Sequence, residues 1–302
     1  MRGVRGEVTA PKDPANAPVW SEIREHVDEP GFEGRYAGIA DAERDSFHKH
    51  PWSIGGGGAA ELKDRFDDAG ELRLGALVAD HGVFGISGAD DVMLATASVF
   101  RRKRVSDRYF RPLVAGASVR DWGVEPSETI LFPYDHELLP LGGNQGFDQW
   151  LWRVRTNLGA RATFNQSTYA AEGRPWWAWH QVTLDRARVP MSVTLAEIAT
   201  HNHFALDRGS GVFGRTAPII KLPETATPAD HLEVLGILNS SSAGFWLRQV
   251  CFPKRGDGIG RGIATEPWEF RFEFDGAKVS QLPLPANRPH NLAAVIQGTT
   301  QN

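Results

Sequence analysis

His201 and His203 are the first residues in this chain whose type and spacing could do chemistry. Two apart on an extended segment, their imidazoles fall on one face, as a pair of metal ligands would. The neighbouring sequence offers no third ligand at a convincing spacing, so a structural or surface role is the plainer expectation. The single cysteine, Cys251, ends an apolar run and reads as a small buried hydrophobe rather than a nucleophile. One cysteine also excludes a disulfide framework and a cysteine-rich zinc site. There is no Gly-x-Ser-x-Gly elbow, no His-Glu-x-x-His and no poised pair of carboxylates. Gly55–Gly58 precede a helical pattern, as a phosphate cradle would, but no strand comes before them and no Lys-Ser/Thr follows. They read as a connector. Gly256–Gly262 lack dinucleotide-loop spacing and read as a mobile basic loop.

The more productive pattern is arginine interleaved with aromatics. Arg101, Arg102, Lys103 and Arg104 follow a strand-like segment, and Arg111, Arg120 and Trp122 are expected at turns. Trp176, Trp177 and Trp179 surround Pro175, and Lys254, Arg255 and Arg261 sit on the glycine-rich loop. Guanidinium forks suit phosphates and the guanine edge, and aromatic faces stack on exposed bases. The backbone-gripping candidates are therefore Arg101, Arg102, Lys103, Arg104, Lys254, Arg255 and Arg261. Arg120, Trp122, Arg153, Trp176 and Arg215 are candidates for base readout or orientation, and Arg111 is a further DNA-binding candidate. Trp177 and Trp246 suit a core instead. The net charge of −4 hides an asymmetry. Residues 1–98 carry 10 basic and 18 acidic side chains, whereas residues 99–302 carry 23 and 19. A basic body behind an acidic front is compatible with a polyanionic partner or simply with solvated surfaces.

The elements that must hold these residues are short. Helices are expected at Val19–Val27, Ala59–Phe66, Phe147–Leu158 and Asp230–Cys251. The last is capped by Thr227 with Pro228 at its first position. Leu232, Leu235, Leu238, Ser242, Phe245 and Gln249 would share one side of it. The Asn239-Ser240 pair could bond the backbone of a neighbouring strand. Strands are expected across 74–94, 127–135, 192–198, 203–213, 216–223 and 269–279, broken by Gly and Asp turns. They are too short and irregular for a doubly wound sheet, so the fold class is α+β: a mixed short-stranded β-sheet with a few packed helices. At 302 residues one large domain or two modest ones fit. We expect a linker and N-terminal helical segment over 1–73, a main domain over 74–286 and a flexible tail over 287–302. No stretch of ~18 apolar residues exists to span a membrane. The N-terminal segment has no apolar region of the secretory kind.

The order of segments from Leu74 to Pro285 resembles the C-terminal target-recognition domain of TaqI-like N6-adenine DNA methyltransferases. The matching pieces are GVFGISGADDVML (82–94), RPLVAGASVRDW (111–122), ILFPYD (130–135) and LWRVR (151–155). They continue with PWW (175–177), HFALDRGSGVF (203–213), APIIKLP (217–223), GILNSSSAGFWLRQV (236–250) and QLPLP (281–285). Within that group the chain is similar to the PglX-type methyltransferases of BREX phage-defence systems. That likeness rests on VRGEVTAPKDPANAPVW (4–20), KHPWSIGGGGAAELKDRF (49–66) and GIGRGIATEPWEFRFEFDG (258–276). The resemblance implies a cytoplasmic protein that binds double-stranded DNA, with the catalytic half of a methyltransferase or other BREX proteins as partners and no membrane.

The chain departs from the pattern in one respect. It has no Pro-Pro pair, hence no Asn-Pro-Pro-Tyr motif, and no acceptable cofactor loop. The expectation is a recognition portion inactive by itself, with no catalytic, cofactor-binding or metal residue, and S-adenosylmethionine held in a catalytic half elsewhere. Two alternatives stay open: a stand-alone metal-dependent enzyme using the His201/His203 region, and a degenerate docking subunit presenting the acidic front.

Overall fold

Phe-Ala-Leu-Asp (Phe204–Asp207) and Ile-Ile-Lys (Ile219–Lys221) lack alternation between polar and apolar residues, and Ser-Val-Thr-Leu (Ser192–Leu195) alternates only with small hydroxyl side chains. In the computed structural model all three are strands buried at every residue. Such runs fit a sheet covered on both faces. The structure describes residues 3–4, 12–41, 44–48, 52, 58–142, 146–188, 191–209, 211–254 and 271–300.

Two four-stranded sheets form the centre. Their strands, in chain order, are β1 Asp80–Gly82, β2 Leu94–Ala95, β3 Phe110–Val114, β4 Glu128–Leu131, β5 Ser192–Leu195, β6 Phe204–Asp207, β7 Val212–Phe213 and β8 Ile219–Lys221. One sheet runs β7-β3-β4-β2, with β7 parallel to β3 and the rest antiparallel. The other runs β6-β5-β8-β1 and is antiparallel throughout. A three-stranded sheet joins Ile198–Ala199, Arg271–Glu273 and Phe252–Lys254. Phe84, Phe132 and Trp179 meet within one core, with ring centroids of Phe132 and Trp179 5.2 Å apart. The α+β expectation holds. Two stretches read as strand are helical instead. Asp90–Met93 forms one turn, and Gly276–Val279 forms another because Asp275 accepts hydrogen bonds from the Ala277 and Lys278 N–H groups.

Thr227 caps the Pro228–Leu238 helix as expected. Its Oγ1 accepts from the Asp230 N–H at 3.2 Å, and Asp230 Oδ2 accepts from the Thr227 N–H at 2.7 Å. The single helix expected to run to Cys251 is instead two, Pro228–Leu238 and Ser241–Val250. At the break, Asn239 Nδ2 donates to the Phe204 carbonyl at 2.9 Å and Oδ1 accepts from the Phe204 N–H at 3.0 Å. Ser240 Oγ accepts from the Ala243 N–H at 3.1 Å and starts the second helix. The interruption resets the helical phase. Leu235 and Leu238 are buried in the first helix, but the second buries Ala243, Trp246, Leu247 and Val250, not Ser242, Phe245 and Gln249. Replacing Asn239 by alanine removes the acceptor for the Phe204 N–H and leaves the Phe204 carbonyl with the Trp122 N–H alone. A loss of about 2 kcal/mol is expected, read as a lower urea midpoint.

Segments flanking the two central sheets pack against the helices of 228–250. The Ala59–Ala69 helix packs on Ser241–Val250, and Trp246 Nε1 donates to Asp67 Oδ1 at 2.9 Å. Burial pulls the Asp67 carboxyl up, but hydrogen bonds from Lys63, Arg73 and Trp246 outweigh it and hold the group below its ordinary value. Residues 290–300 are a helix against Pro228–Leu238 rather than a flexible tail, with Ala293 and Gln297 buried. The close approach needs Gly236, where a Cβ would come within 2.9 Å of Ala293. Among the described residues, no helix is long and apolar enough to cross a membrane.

Candidate nucleic-acid interface

The four consecutive cations end a helix, Ala97–Arg102, and do not follow a strand. The Val105 N–H reaches the Phe100 carbonyl at 3.0 Å and the Arg104 N–H reaches Arg101 at 2.9 Å. These bonds make a Schellman close, whose left-handed position glycine usually fills. Here Arg104 fills it, at φ 61°. Arg101 holds Asp107 through Nε and Nη2, with contacts of 2.8–3.1 Å. Its partner keeps the Asp107 carboxyl below its ordinary value. Arg102, Lys103 and Arg104 are exposed and form no ion pair among the described residues.

The expected helix over 147–158 is Phe147–Leu151 and Arg155–Gly159 with a tighter turn, Trp152–Val154, between them. It packs beside the cations: Trp150 meets Phe100 edge-on at 5.3 Å, and Gly146 lies next to the Arg104 carbonyl. Arg153 is exposed on this segment. Trp152, 58% exposed, has the Arg155 guanidinium over its ring at 4.9 Å and Trp176 edge-on at 6.4 Å. Arg153 thus lies on, and Trp176 against, the segment whose start packs beside the Arg101–Arg104 helix end. Sequence reasoning missed Trp152 as an exposed aromatic here. The Trp152/Arg155 spacing of three was its only signal.

A second group surrounds the turn after the short strand Val119–Arg120. Arg120 Nη1 donates to the Val119 carbonyl at 2.7 Å, and Trp122 holds φ 67° with its N–H on the Phe204 carbonyl. Gly116 donates to Thr216 Oγ1 at 3.0 Å, which brings the exposed Arg215 turn alongside. Lys254 is paired with Glu273 at 2.8 Å. Arg255 and Arg261 lie outside the described residues. Arg111 joins neither group. It lies within β3 rather than at a turn, donates to the Arg108 and Phe110 carbonyls, and lines a cleft of about 310 Å3 with Tyr134, Arg186 and Lys221.

The histidine pair gains a neighbour that the sequence did not reveal. Asp121 Oδ1 lies 2.7 Å from His203 Nδ1 and 3.7 Å from His201 Nε2. The two imidazole centroids are 4.0 Å apart. Burial, and then His201, push His203 below the ordinary histidine value despite the hydrogen bond to Asp121.

The tryptophan segment is mostly scaffold. Trp179 is buried and donates Nε1–H to the Leu131 carbonyl at 2.8 Å, while its N–H donates to Tyr134 Oη at 2.8 Å. Trp177 is half-buried with its Nε1 on the Leu141 carbonyl, and Trp246 is buried, so both suit the core as expected. Burial pushes the Tyr134 phenol up to about 12.

In the cleft, burial pushes the Lys221 ammonium down from 10.5 to about 8, partly opposed by Asp207. Between those values the unfolded chain binds more protons than the folded one, so stability rises with pH. Against Lys221→Met, the wild-type chain is expected to gain on the order of 2 kcal/mol as pH rises through that window. Urea unfolding of both chains at several pH values checks it.

No protein-family profile matches the chain. Along its whole length it is similar to part of an adenine-specific methyltransferase. That relative is PglX of Streptomyces coelicolor, 40% identical over 308 residues that take in 100% of this chain and 25% of PglX. The likeness to PglX-type methyltransferases expected from the sequence is therefore met, and the chain spans a quarter of the relative's length. Among solved structures, the type IIL restriction-modification enzyme MmeI, solved in complex with DNA, overlaps 76% of this chain and 28% of its own at 13% identity and a TM-score of 0.48. The type IIG restriction endonuclease BpuSI overlaps 82% of this chain and 28% of its own at 11% identity and a TM-score of 0.48.

Proposed function

We propose that this chain is the DNA target-recognition portion of an N6-adenine-specific DNA methyltransferase of a phage-defence (BREX) system. The observation that carries the reading is the cluster Arg101–Arg104. It sets four adjacent cations at a helix end, one of them in a backbone conformation that a glycine would hold at lower cost. The 40% identity of this whole chain to a quarter of PglX supports it. In this reading Arg102, Lys103 and Arg104 grip phosphates and set register, with Arg153 beside them and Trp152 and Trp176 as an aromatic ledge. Arg120, Trp122 and Arg215 orient or read the duplex from the second turn.

The residues present do not fit S-adenosylmethionine. The chain lacks the Asn-Pro-Pro-Tyr motif, and no glycine-rich turn joins a strand to a helix among the described residues. Binding of the methyl donor and of the extruded base is assigned to a separate catalytic half. That half or other BREX proteins are the protein partners in this reading, and the cytoplasm is its place.

Fluorescence anisotropy of the chain with a duplex DNA at two salt concentrations tests the proposal. Binding that weakens steeply with salt supports it. No binding at low salt, either alone or with a separately expressed catalytic half, overturns it.

A further inference from the structure

We infer that Asp121, His201 and His203 form a binding site for a divalent transition cation of the zinc class. Three protein ligands of this kind, two imidazoles and one carboxylate, are a set found where zinc keeps an open coordination position. One candidate ligand atom from each residue lies within 4.8 Å of the other two. Arms of about 2.0–2.1 Å place tetrahedral ligand atoms roughly 3.3 Å apart. His201 Nε2 is 3.7 Å from Asp121 Oδ1, and the 2.7 Å contact of His203 Nδ1 needs to open by about 0.6 Å.

The surroundings favour a loaded site. His203 is 9% exposed in its side chain, so its position is set by packing, whereas His201 and Asp121 are 51% and 63% exposed. A cation can thus enter from solvent and keep a water or an anionic oxygen as an outer ligand. A ligating Nδ1 must carry no proton, so His203 would bind as the neutral ring with its proton on Nε2.

The ligands come from two places. Asp121 lies in the turn between Val119–Arg120 and Gly123–Val124, and the histidines lie just before and at the entry to β6. The cation ties that turn to the sheet and so fixes Arg120 and Trp122 on either side of Asp121. This role does not depend on the DNA reading, and it needs no chemistry at the metal.

Isothermal titration with Zn2+, and titration with Co2+ followed by visible absorption, test it on the full chain. One equivalent is expected, with affinity at least tenfold weaker in Asp121→Asn and in His201→Ala. Both side chains are exposed, so the fold should tolerate the changes. His136→Ala, at a side chain 90% exposed elsewhere, should bind as the wild type does. Zn2+ should also raise the thermal midpoint of the wild-type chain and not that of His201→Ala. Absence of stoichiometric uptake, or equal uptake by all variants, overturns the site.

Discussion

Changing Arg101, Arg102, Lys103 and Arg104 together to alanine is expected to weaken duplex DNA binding about a hundredfold at ~0.1 M salt. Each phosphate contact releases close to one counterion, with a slope of about 0.9 per contact in log K against log salt. Three contacts are worth at most 2.7 decades at ~0.1 M salt on that slope. Ordering long side chains reduces this. Arg101 adds little because Asp107 already holds it. The salt slope should fall by roughly three, while base preference stays the same, because phosphate contacts carry register and not sequence. A variant with unchanged affinity and slope refutes the assignment of this helix end. Arg104→Gly separates fold from contact. It relieves the left-handed strain, which is worth about 1 kcal/mol, and removes one cation, so stability rises as affinity falls.

Arg161→Ala should cost on the order of 4 kcal/mol, the largest stability loss of any single change considered for this chain. In the sequence Arg161 stands with Arg153 and Arg155 in or just after the segment 147–158 and carries no mark of its own. Its guanidinium in fact donates to four carbonyls: Leu158 at 3.0 Å, Ser87 at 2.9 Å, Trp176 at 2.9 Å and Ala178 at 2.7 Å. It also lies over the Tyr169 ring at 4.1 Å, where Arg174 sits at 4.3 Å. Burial pushes the Arg161 guanidinium down from its ordinary value. Hydrogen bonds to a charged group contribute about 1.5–3 kcal/mol each but do not add fully. Truncation takes the guanidinium donors from the Trp176 and Ala178 carbonyls, while Ser87 keeps the His180 N–H and Leu158 the Arg161 N–H. Arg161→Lys keeps the charge but loses the planar fork and should recover under half of the loss. Urea midpoints of the three chains measure both effects. A loss under ~1 kcal/mol for the alanine change would make the clamp incidental.

The strands were legible where β-branched residues clustered between turn signals, as at Ser192–Leu195 and Ile219–Lys221. The cap at Thr227 was legible because its partner lies three residues away. Local signals carry only that far. The break at Asn239 depends on Phe204, 35 residues off, so the apolar periodicity alone ran the helix on to Cys251. Asp90–Met93 was misread because its apolar residues fit either period. In the site, the cationic run 101–104 was visible as composition, but its helical end and the left-handed Arg104 were not. Asp121 was invisible as a neighbour of His203, 82 positions away in sequence. Arg111 and Lys254 looked alike in sequence, yet one is bonded to its own backbone and the other to Glu273.

Strand β6 lies at the rim of its sheet, where unpaired backbone groups would be open to a strand from another molecule. The Asn239 side chain occupies both hydrogen-bonding groups of Phe204, and the Trp122 N–H shares the same carbonyl while Trp122 bridges Ala205. A helix junction and a turn thus shut the rim without supplying a strand. This margin is closed to accretion of further copies by edge pairing, and whatever meets the protein here must do so through side chains.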